Sequence, residues 1–428
     1  MEEIYRTDRS GIKQEEIVAD IEKMLQQYPT LKKVLIIPPD YTRCFSFAGE
    51  ITQIIYKKLK QEETVVYVMP ALGTHMEMSG EEKVKFFSDT VDEQDILVHH
   101  WQTDTTKIGT IPARVVSEIS QGLYKEEIEV EVNHRLLDEK YDLIISVGQV
   151  VPHEVVGMAN YSKNLFVGVG GRSMINKSHM LSAVCGMERA LGVTDSPARM
   201  LYDYGQQHFI DGKIPVVFIQ TVTTKQEHNL NLNGLYIGTS RRPFELAAKL
   251  SQELNIVHLD RRVKKMVVYL DPQELKTTWV GNKGIYRTRM AIADGGELLL
   301  IAPGIGAFGE NEEMDAMIRE YGYKGRDNVL RLYEQGVFEN RTMCAAHLIQ
   351  GSTDGRFSVT YATCPEKMPQ KAIEQVGYHW KNYYEVIQQY DPESMKDGWN
   401  KTEQGEEFYF VRTPALGLWK YDDCHVNI

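Results

Sequence analysis

The first half of the chain contains three short apolar runs that predict strands. Lys33–Ile37, Thr64–Met69 and Asp142–Val147 are apolar with little interruption. A nearly unbroken apolar run indicates a strand that is covered on both faces, as in a parallel sheet. The three runs therefore predict a buried sheet in the first half.

The stretches between these runs have the spacing of amphipathic helices. Apolar residues recur three and four positions apart in Glu50–Leu59. Ser79 and Glu82 have the spacing of a capping box, which predicts a helix start with Val84 and Phe87 facing inward. Strands that alternate with helices are typical of an α/β domain with a mostly parallel sheet.

The pattern changes near the middle of the chain. The composition turns polar at Asn229–Gly234, and Phe244–Leu254 has helical spacing, so a domain boundary near residue 256 is predicted. Beyond it, Met266–Leu270 and Glu297–Ile301 predict strands, and Glu312–Tyr321 predicts a helix. The second half is therefore interpreted as a second α/β unit.

Together these patterns predict the α/β fold class, with two α/β domains, mostly parallel sheets and an active-site cleft between the domains. The predicted ranges are 1–256 for the first domain and 257–410 for the second. Residues 411–428 form a last segment, with Trp419 and Tyr421, that is predicted to pack back on the first domain.

The length, net charge and cysteine content of the chain indicate which kinds of binding partner and cellular location to expect. A chain of 428 residues exceeds what one core usually serves, which agrees with two domains. The net charge of −12 disfavours nucleic acid as the main partner. No membrane is expected, because the sequence lacks a signal-peptide layout and any apolar run near the roughly 18 residues of a span. Scattered cysteines without Cys-x-x-Cys spacing favour a cytoplasmic protein without disulfides or structural zinc.

Polar residues follow each of the three strands of the first domain. Asp40–Arg43 comes after the first strand, Gly73–His75 after the second and Val151–His153 after the third. In parallel α/β sheets, ligands bind beyond the carboxyl ends of the strands. We therefore expect these segments to converge on one crevice.

Each group in this crevice has a functional and a structural interpretation. The Arg43 guanidinium can bind two oxygens of a carboxylate or phosphate, or it can pair with Asp40 inside a strand-to-helix turn. His75 and His153 can transfer protons near neutral pH, or they can be ordinary loop histidines. The convergence of three strand ends supports a site more than any one residue does.

A segment that follows the third strand adds further chemistry. The Lys163 amine can be a covalent anchor, and the His179 imidazole can ligate a metal. Three glycines lie between them: Gly168, Gly170 and Gly171. This segment has the parts of a metal or cofactor site.

Two further patterns are weaker evidence for a site. His99 and His100 look like a metal pair, but they follow a strand-like stretch, and packing or solvent contact is favoured for them. Gly304–Gly309 follows a strand and precedes a helix, as a dinucleotide-binding turn does. No second strand ends in an acidic residue about 20 positions on. A glycine-rich substrate or cofactor loop, or a tight interdomain turn, is therefore favoured over a nicotinamide site.

Taken together, these motifs resemble the nickel-dependent lactate racemase family, whose members racemise or epimerise 2-hydroxy acids. The resemblance covers nearly the whole chain and is strongest from residue 40 to residue 179. The family motifs are Asp-x-Thr-Arg, Gly-Thr-His and Pro-His, then a lysine and a later histidine. The matching residues are Asp40, Thr42, Arg43, His75, His153, Lys163 and His179.

The resemblance implies roles for these residues. Arg43 would hold the substrate carboxylate, and His75 and His153 would be the catalytic acid and base. Lys163 would bond covalently to a nickel-pincer nucleotide (nickel pyridinium-3,5-bisthiocarboxylic acid mononucleotide), and His179 would ligate its nickel. Cofactor contacts are expected from Asp40, Thr42, Lys163, Gly168, Gly170 and Gly171.

The implied reaction explains why these residue types are needed. The α-hydrogen of a hydroxy acid is too weakly acidic for histidine to remove readily. The resemblance implies that it leaves as hydride to the cofactor, and that hydride then returns to either face. One histidine removes the hydroxyl proton for each enantiomer, so two bases are needed on opposite sides.

The chain departs from the family near the lysine and in the second domain. Relatives nearest to lactate racemase have a glycine-rich run where this chain has Ala159–Ser162. In the second domain Tyr286 matches a family tyrosine, but Arg287 replaces a glutamine, and Lys283 lies upstream of the family's lysine position. These three residues are the candidate substrate contacts. With Arg289, the added positive charge predicts a polar hydroxy acid such as an aldonate, with malate next, rather than lactate.

Other functions stay open at this point. A malate- or lactate-type racemase is the alternative within the family. An NAD-dependent hydroxy-acid oxidoreductase would use Gly304–Gly309, and a catalytically silent binding or regulatory protein would keep only the fold. The expected partners are a small 2-hydroxy acid and cofactor-biosynthesis enzymes, and a homo-oligomer is compatible with the sequence.

Overall fold

The structure is a computed structural model that describes residues 1–226, 229–339 and 341–421. The chain divides into two units, Met1–Asn255 and Ile256–Ile428. Each unit is built on a sheet whose strands are mostly parallel. The predicted α/β class with mostly parallel sheets is therefore confirmed.

Strands and helices alternate through the first unit. Its strands are β1 (Ile4–Thr7), β2 (Lys33–Ile37), β3 (Val65–Val68), β4 (Thr105–Ile111), β5 (Ile128–Asn133), β6 (Leu143–Gln149), β7 (Pro152–His153), β8 (Gly157–Met158), β9 (Val216–Gln226) and β10 (Asn229–Gly238). Its α-helices are α1 (Gln14–Leu25), α2 (Ala48–Gln61), α3 (Gly80–Phe87), α4 (Ala113–Ile119), α5 (Arg135–Asp138), α6 (Arg172–Cys185), α7 (Met187–Ala190), α8 (Pro197–Gly205) and α9 (Arg242–Asn255). Shorter 3₁₀ turns are Tyr41–Ser46, Ser88–Thr90 and Glu93–Asp95, and π turns are Asn164–Gly168 and Gln206–Ile210.

The main sheet of the first unit has the strand order β1-β10-β9-β6-β2-β3. Strands β9, β6, β2 and β3 are parallel, whereas β10 and β1 extend the sheet with antiparallel pairing. Because parallel neighbours end on the same side, the chain leaves β2, β3 and β6 at one end of the sheet. This topology decides where the candidate side chains meet.

Apolar patterning accounts for most of these elements. Every residue of β6 is buried, as expected for a strand covered on both faces. Helix α2 buries Ile51, Ile55 and Leu59, which recur every four positions. Helix α3 begins at the predicted capping box, and Phe87 is buried. The inward position predicted for Val84 is wrong, because this short helix buries only its last-turn phenylalanines and leaves Val84 exposed.

The polar stretch Asn229–Gly234, interpreted from the sequence as the approach to a domain boundary, is part of β10. It pairs with β9 in antiparallel register. Leu232 is buried in this stretch, and Asn229 is exposed. Asn233 is also buried, and its side chain is hydrogen bonded to the Thr224 hydroxyl and to the Asp8 and Arg9 carbonyls, so polarity here does not mark a boundary.

The second unit repeats the parallel arrangement. Its strands are β11 (Ile256–Leu259), β12 (Val263–Tyr269), β13 (Ile292–Ile301), β14 (Phe357–Thr363), β15 (His379–Asn382), β16 (Gly398–Lys401), β17 (Glu407–Val411) and β18 (Leu418–Tyr421). Its α-helices are α10 (Thr278–Gly281), α11 (Lys283–Thr288), α12 (Glu312–Tyr321), α13 (Arg326–Glu334), α14 (Thr342–Gly351), α15 (Gln370–Gln375) and α16 (Tyr383–Val386). The sheet order is β15-β14-β13-β12-β17-β16, with only β16 antiparallel to its neighbour.

The C-terminal strand β18 pairs in parallel with β11 of the same unit. Residues 422–428 of the predicted last segment lie outside the described residues. The packing of segment 411–428 on the first domain stays a prediction. Within the described ranges, no helix combines the length and the apolar character that a membrane span requires.

Candidate active site

Backbone hydrogen bonds join the loops that leave the end of the first sheet. The Ala71 amide donates to the Pro38 carbonyl at 2.7 Å, which ties the loop after β3 to the loop after β2. The Gly73 amide donates to the Gly168 carbonyl at 2.8 Å, which ties the loop after β3 to the turn that follows Lys163. The structure therefore brings three of the predicted segments together.

A buried carboxylate orients the first of the two predicted histidines. His75 Nδ1 lies 2.6 Å from Asp40 Oδ2, and the Thr42 amide and hydroxyl donate to Asp40 Oδ1 at 3.1 and 2.6 Å. Burial alone would raise the pKa of Asp40, but the His75 ring and these hydrogen bonds outweigh it and hold the pKa below its ordinary value. The ionised carboxylate accepts the Nδ1 proton, so a neutral His75 keeps its lone pair on Nε2.

In the second predicted histidine, His153, Nδ1 accepts a hydrogen bond, whereas Nδ1 of His75 donates one. His153 is buried, and its Nδ1 accepts a hydrogen bond from the Val155 amide at 3.1 Å. A ring nitrogen that accepts a hydrogen bond does not carry the ring proton, so neutral His153 carries it on Nε2. Neutral His75 therefore offers an Nε2 lone pair, whereas neutral His153 offers an Nε2–H hydrogen-bond donor.

Two partly buried cations complete this part of the site. The side chains of Arg43 and Lys163 form no hydrogen bond or ion pair with the described residues. The predicted alternative, a local ion pair between Arg43 and Asp40, is therefore not formed. Burial, assisted by the Arg43 guanidinium, lowers the pKa of Lys163 to about 7. A lysine amine that is partly neutral at physiological pH can act as a nucleophile.

The lowered pKa of Lys163 predicts unusual labelling by an amine-reactive reagent. With trace acetic anhydride, the rate at Lys163 should fall about fivefold from pH 7 to pH 6, because the amine becomes protonated below its pKa. From pH 7 to pH 9 the rate should rise only about twofold, since the amine is then already neutral. A lysine model peptide labelled in the same reaction should keep gaining reactivity over that range. Mass spectrometry measures both amines, and parallel pH profiles for Lys163 and the model peptide would contradict the prediction.

His179 on α6 has the orientation of a metal ligand. Its Nδ1 lies 2.7 Å from the Ile175 carbonyl one turn earlier, so Nδ1 donates and the Nε2 lone pair points away. Burial lowers the pKa of His179 to about 4, so the ring is neutral at physiological pH. Metal-binding histidines are commonly held in this way. No three His, Cys, Asp or Glu side chains within the described ranges lie close enough to hold a metal together.

The three glycines ahead of α6 are required by packing. A Cβ on Gly168 would lie 2.6 Å from the Ala71 Cβ, and one on Gly170 would lie 2.0 Å from the Phe166 carbonyl oxygen. A Cβ on Gly171 would lie 2.5 Å from a side chain of β5. The amides of Gly170 and Gly171 donate to backbone carbonyls at 3.4 and 3.3 Å. Cofactor binding by these glycines stays a prediction.

Two residues that the sequence did not single out as site residues support this loop. The Glu131 carboxylate accepts the Ser173 amide at 2.8 Å, at the start of α6. His99 is buried, with Nε2 3.1 Å from the Gly170 carbonyl and Nδ1 2.9 Å from the Asn133 amide nitrogen. Burial lowers the pKa of His99 to about 4, so the ring is a neutral packing element. These contacts join distant segments, and no sequence spacing signals them.

The predicted substrate residues of the second domain lie on α11 and are buried. Lys283 Nζ lies 3.8 Å from Glu274 Oε1. The Tyr286 hydroxyl lies 3.0 Å from His347 Nδ1, and Arg287 is only 1% exposed. Substrate contact by Lys283, Tyr286 and Arg287 stays a prediction.

Two other residues of this domain have structural roles that the sequence does not reveal. Arg289, part of the argument for a polar substrate, donates from one guanidinium nitrogen to the Gln350 and Ser352 carbonyls at 3.0 and 3.3 Å. His347 Nε2 lies 2.8 Å from the Tyr323 hydroxyl, so His347 links two tyrosines. Arg289 therefore stabilises backbone, and the case for a polar substrate depends on Lys283 and Arg287.

The glycine-rich string Gly304–Gly309 lies between β13 and α12, as the sequence indicates. The Phe308 amide donates to Asp315 Oδ1 at 2.6 Å, and the Gly309 amide approaches the same oxygen at 3.4 Å. The Gly306 amide donates to the Lys276 carbonyl at 3.0 Å. Protein acceptors therefore occupy amides that a dinucleotide phosphate would need. This favours the tight-turn interpretation over the nicotinamide site.

Comparison with known families identifies the first unit. Residues 18–190 match the family described as the lactate racemase N-terminal domain. This part of the first unit is therefore similar to lactate racemase N-terminal domains. The resemblance predicted from the motifs is confirmed for these residues, which include each candidate from Asp40 to His179.

Two solved structures have a similar fold over 97% of this chain. A protein from Thermotoga maritima, solved by a structural genomics consortium, is 24% identical with a TM-score of 0.84, over 97% of this chain and 100% of its own. The lactate racemase apoprotein from Thermoanaerobacterium thermosaccharolyticum is 16% identical with a TM-score of 0.67, over 97% of this chain and 94% of its own. At these identities the likeness shows the fold. A search of curated proteins found no match. The domain family indicates an isomerase of the hydroxy-acid racemase or epimerase type.

Proposed function

We propose that the protein inverts the C2 carbinol of a 2-hydroxy acid. The observation that carries this proposal is the contact of His75 Nδ1 with the buried Asp40 carboxylate at 2.6 Å, which leaves Nε2 of His75 available as a base. Inversion of a carbinol removes the hydroxyl proton of one enantiomer and supplies a proton to the other, so it needs a base and an acid in the same protein state. The lactate racemase N-terminal domain supports the same reaction class.

Lys163 and His179 fit a tethered nickel cofactor. The Lys163 amine is a nucleophile of suitable pKa for a covalent bond, and His179 has one ring nitrogen directed away from its carbonyl partner. Because His179 belongs to no three-ligand cluster among the described residues, the remaining metal ligands would come from the cofactor. A nickel-pincer nucleotide on Lys163 would supply an acceptor and donor of the C2 hydride.

The chain's own residues orient the substrate and move its proton. The Arg43 guanidinium binds the substrate carboxylate through two parallel hydrogen bonds. His75 Nε2 takes the hydroxyl proton of one enantiomer, and the Asp40 carboxylate stabilises the resulting imidazolium. On the opposite side, His153 returns a proton from Nε2 as an imidazolium and becomes neutral, which requires its Nδ1 contact with the Val155 amide to open in the protonated state. For the other enantiomer the two histidines exchange these roles.

We further propose a polar substrate, on the basis of the second domain. Lys283 and Arg287 add positive charge beside the Tyr286 hydroxyl on one short helix. Hydroxyl-rich acids such as aldonates offer many acceptors for such groups, and a dicarboxylate such as malate is next. Lactate has a methyl group at the corresponding position and offers these polar groups no hydrogen-bond acceptor there.

A substrate screen tests this function. The full chain is coexpressed with cofactor-making enzymes and incubated with single stereoisomers of an aldonate, malate and lactate. We expect the aldonate to be inverted at least about tenfold faster than lactate, because buried polar groups discriminate against a substrate that cannot pair with them. Chiral chromatography measures each product.

Protein expressed without the cofactor-making enzymes is the blank for this screen. Rapid interconversion of the lactate enantiomers with no change in the aldonate would refute the proposed substrate. A loaded enzyme that inverts no 2-hydroxy acid would refute the proposed function.

A further inference from the structure

The backbone just before Lys163 adopts an unusual conformation. Asn160 has φ 65° and Tyr161 has φ 57°, so two consecutive residues with side chains lie in the left-handed region. Residues other than glycine adopt this region at an energetic cost, and such conformations persist only when the surroundings enforce them. At this position the chain has Ala159–Ser162 in place of the glycine-rich run.

A fully buried arginine binds this strained stretch at three points. Arg199 is 0% exposed and lies on α8. One guanidinium nitrogen donates to the Ser162 hydroxyl at 2.8 Å, and another donates to the Met158 and Asn160 carbonyls at 2.7 and 3.0 Å. The planar guanidinium is suited to several acceptors at fixed directions. Arg199 therefore fixes both ends of the left-handed pair.

The side chains of the strained pair are held as well. The Asn160 amide nitrogen donates to the Gly148 carbonyl and to the Gln220 side chain, both at 2.7 Å. The Tyr161 ring packs 4.6 Å from Phe218, with the Arg199 guanidinium 5.8 Å from its centre. The pair is thus anchored to the central strands β6 and β9.

The chain is fixed on the other side of Lys163 too. Asn164 begins a buried π turn, and its amide nitrogen donates to the Ser146 hydroxyl and the Val147 carbonyl at 3.3 and 3.2 Å. Single π turns inside helical segments often occur at functional sites. The Lys163 backbone is therefore held on both sides, and its side chain is the part that can respond to a ligand.

From these contacts we infer that Arg199 is a positioning residue for Lys163. It holds Asn160 and Tyr161 in the left-handed conformation that directs the amine toward the proposed attachment point, so a buried guanidinium enforces a backbone shape that a glycine-rich run would adopt without such support. This inference rests on the proposed function, because attachment at Lys163 is the event that Arg199 would support. Arg199 itself touches neither substrate nor cofactor on this account.

The test compares arginine variants of the full chain, coexpressed with cofactor-making enzymes. Arg199→Ala removes all three contacts, and Arg241→Ala is the matched control. Arg241 lies 3.3 Å from Asp203, a carboxylate that also interacts electrostatically with Arg199, but Arg241 donates to the Thr194 carbonyl instead of the 158–162 loop. Two readouts are used: the fraction of chains with a mass adduct on Lys163, and hydrogen exchange of the amides at 159–163.

We expect Arg199→Ala to lower the adduct fraction by about 10–100-fold, the usual effect of losing a residue that orients a ligand-bearing group. Exchange at 159–163 should accelerate while the second unit is unchanged. Added ethylguanidinium should restore the adduct, whereas ethylammonium should not, because only the planar cation reaches all three acceptors. Arg241→Ala should behave like the native chain.

Native loading and native exchange in Arg199→Ala would overturn the inference. If that variant does not fold, Arg199→Lys decides, since it keeps the buried charge beside Asp203 but cannot span three acceptors. A folded Arg199→Lys with full loading and slow exchange overturns the inference, and one with low loading and fast exchange supports it. Ser162→Ala, which removes a single acceptor, should give an intermediate exchange rate. Absence of any adduct in the native chain would refute the proposed function, and exchange at 159–163 would still decide the role of Arg199.

Discussion

Lys163→Ala is expected to abolish both covalent attachment of a cofactor and inversion of substrate. Alanine has no nucleophile, and Lys163 is the amine that the 158–168 segment holds in place. Activity should fall to that of protein made without cofactor enzymes, a loss of at least about 10⁴-fold, as when a residue that forms the covalent link is removed. Intact-mass measurement reports the adduct, and chiral chromatography reports turnover.

Two substitutions control for charge and for general damage. Lys163→Arg keeps the positive charge and length but has no nucleophilic amine, so it should also be inactive and without adduct. Lys177→Ala removes a neighbouring lysine of α6 whose Nζ donates to the Glu127 carbonyl, and it should retain both adduct and activity. An adduct or substantial turnover in Lys163→Ala would show that the chemistry does not depend on this amine.

Asp40→Asn is expected to lower kcat in both directions by about 10²–10⁴-fold, with little change in KM. The ionised carboxylate accepts the His75 Nδ1 proton and so leaves the Nε2 lone pair available. An asparagine amide can donate to Nδ1 instead, which moves the ring proton to Nε2. Both histidines would then present an Nε2–H, and the site would lack a base.

The matched control for this prediction is Thr42→Val. It removes the hydroxyl that donates to Asp40 Oδ1 at 2.6 Å but leaves the carboxylate and its contact with His75. Thr42→Val should reduce kcat far less than Asp40→Asn. Steady-state kinetics from each enantiomer separately provides the measurement. If Asp40→Asn stays within about twofold of native in both directions, the assigned tautomer of His75 is wrong.

The sequence was sufficient to predict the sheet and the end of the sheet where candidate residues collect. Unbroken apolar runs at Lys33–Ile37 and Asp142–Val147 specify covered strands, because such runs are stable only when both faces are buried. Parallel strands end on the same side, so the positions after them could be expected to meet. The hydrogen bond from the Ala71 amide to the Pro38 carbonyl, which joins the loops after β3 and β2, agrees with that reasoning.

Proton positions could not be predicted from the sequence. The Nδ1 of His75 faces a carboxylate 35 residues away, and the Nδ1 of His153 accepts from an amide two residues ahead. A Gly-Thr-His or Pro-His motif shows that an imidazole is present, but it does not indicate which ring nitrogen carries the proton. That assignment depends on ring orientation, which packing determines.

The sequence also did not reveal buried residues whose hydrogen-bond partners lie far away along the chain. Arg199 lies 37 residues after Ser162, and His347 lies 61 residues after Tyr286. Neither belongs to a recognisable spacing pattern, and both sit on helices whose apolar neighbours dominate the periodicity. The misplaced Val84 and the polar strand at Asn229–Gly234 have a similar origin, since in each case tertiary packing outweighs the local signal.

The left-handed pair Asn160–Tyr161 restricts how this loop can change by mutation. Each residue in that conformation costs about 1–3 kcal/mol unless neighbours enforce it. If Arg199 were lost first, Asn160 and Tyr161 would still have to adopt the left-handed conformation, but without the hydrogen bonds that enforce it. If glycines replaced both residues first, the conformation would carry no such cost and the arginine would be dispensable. The order of substitutions therefore matters, and a lineage that acquired the buried arginine cannot discard it until the loop has changed.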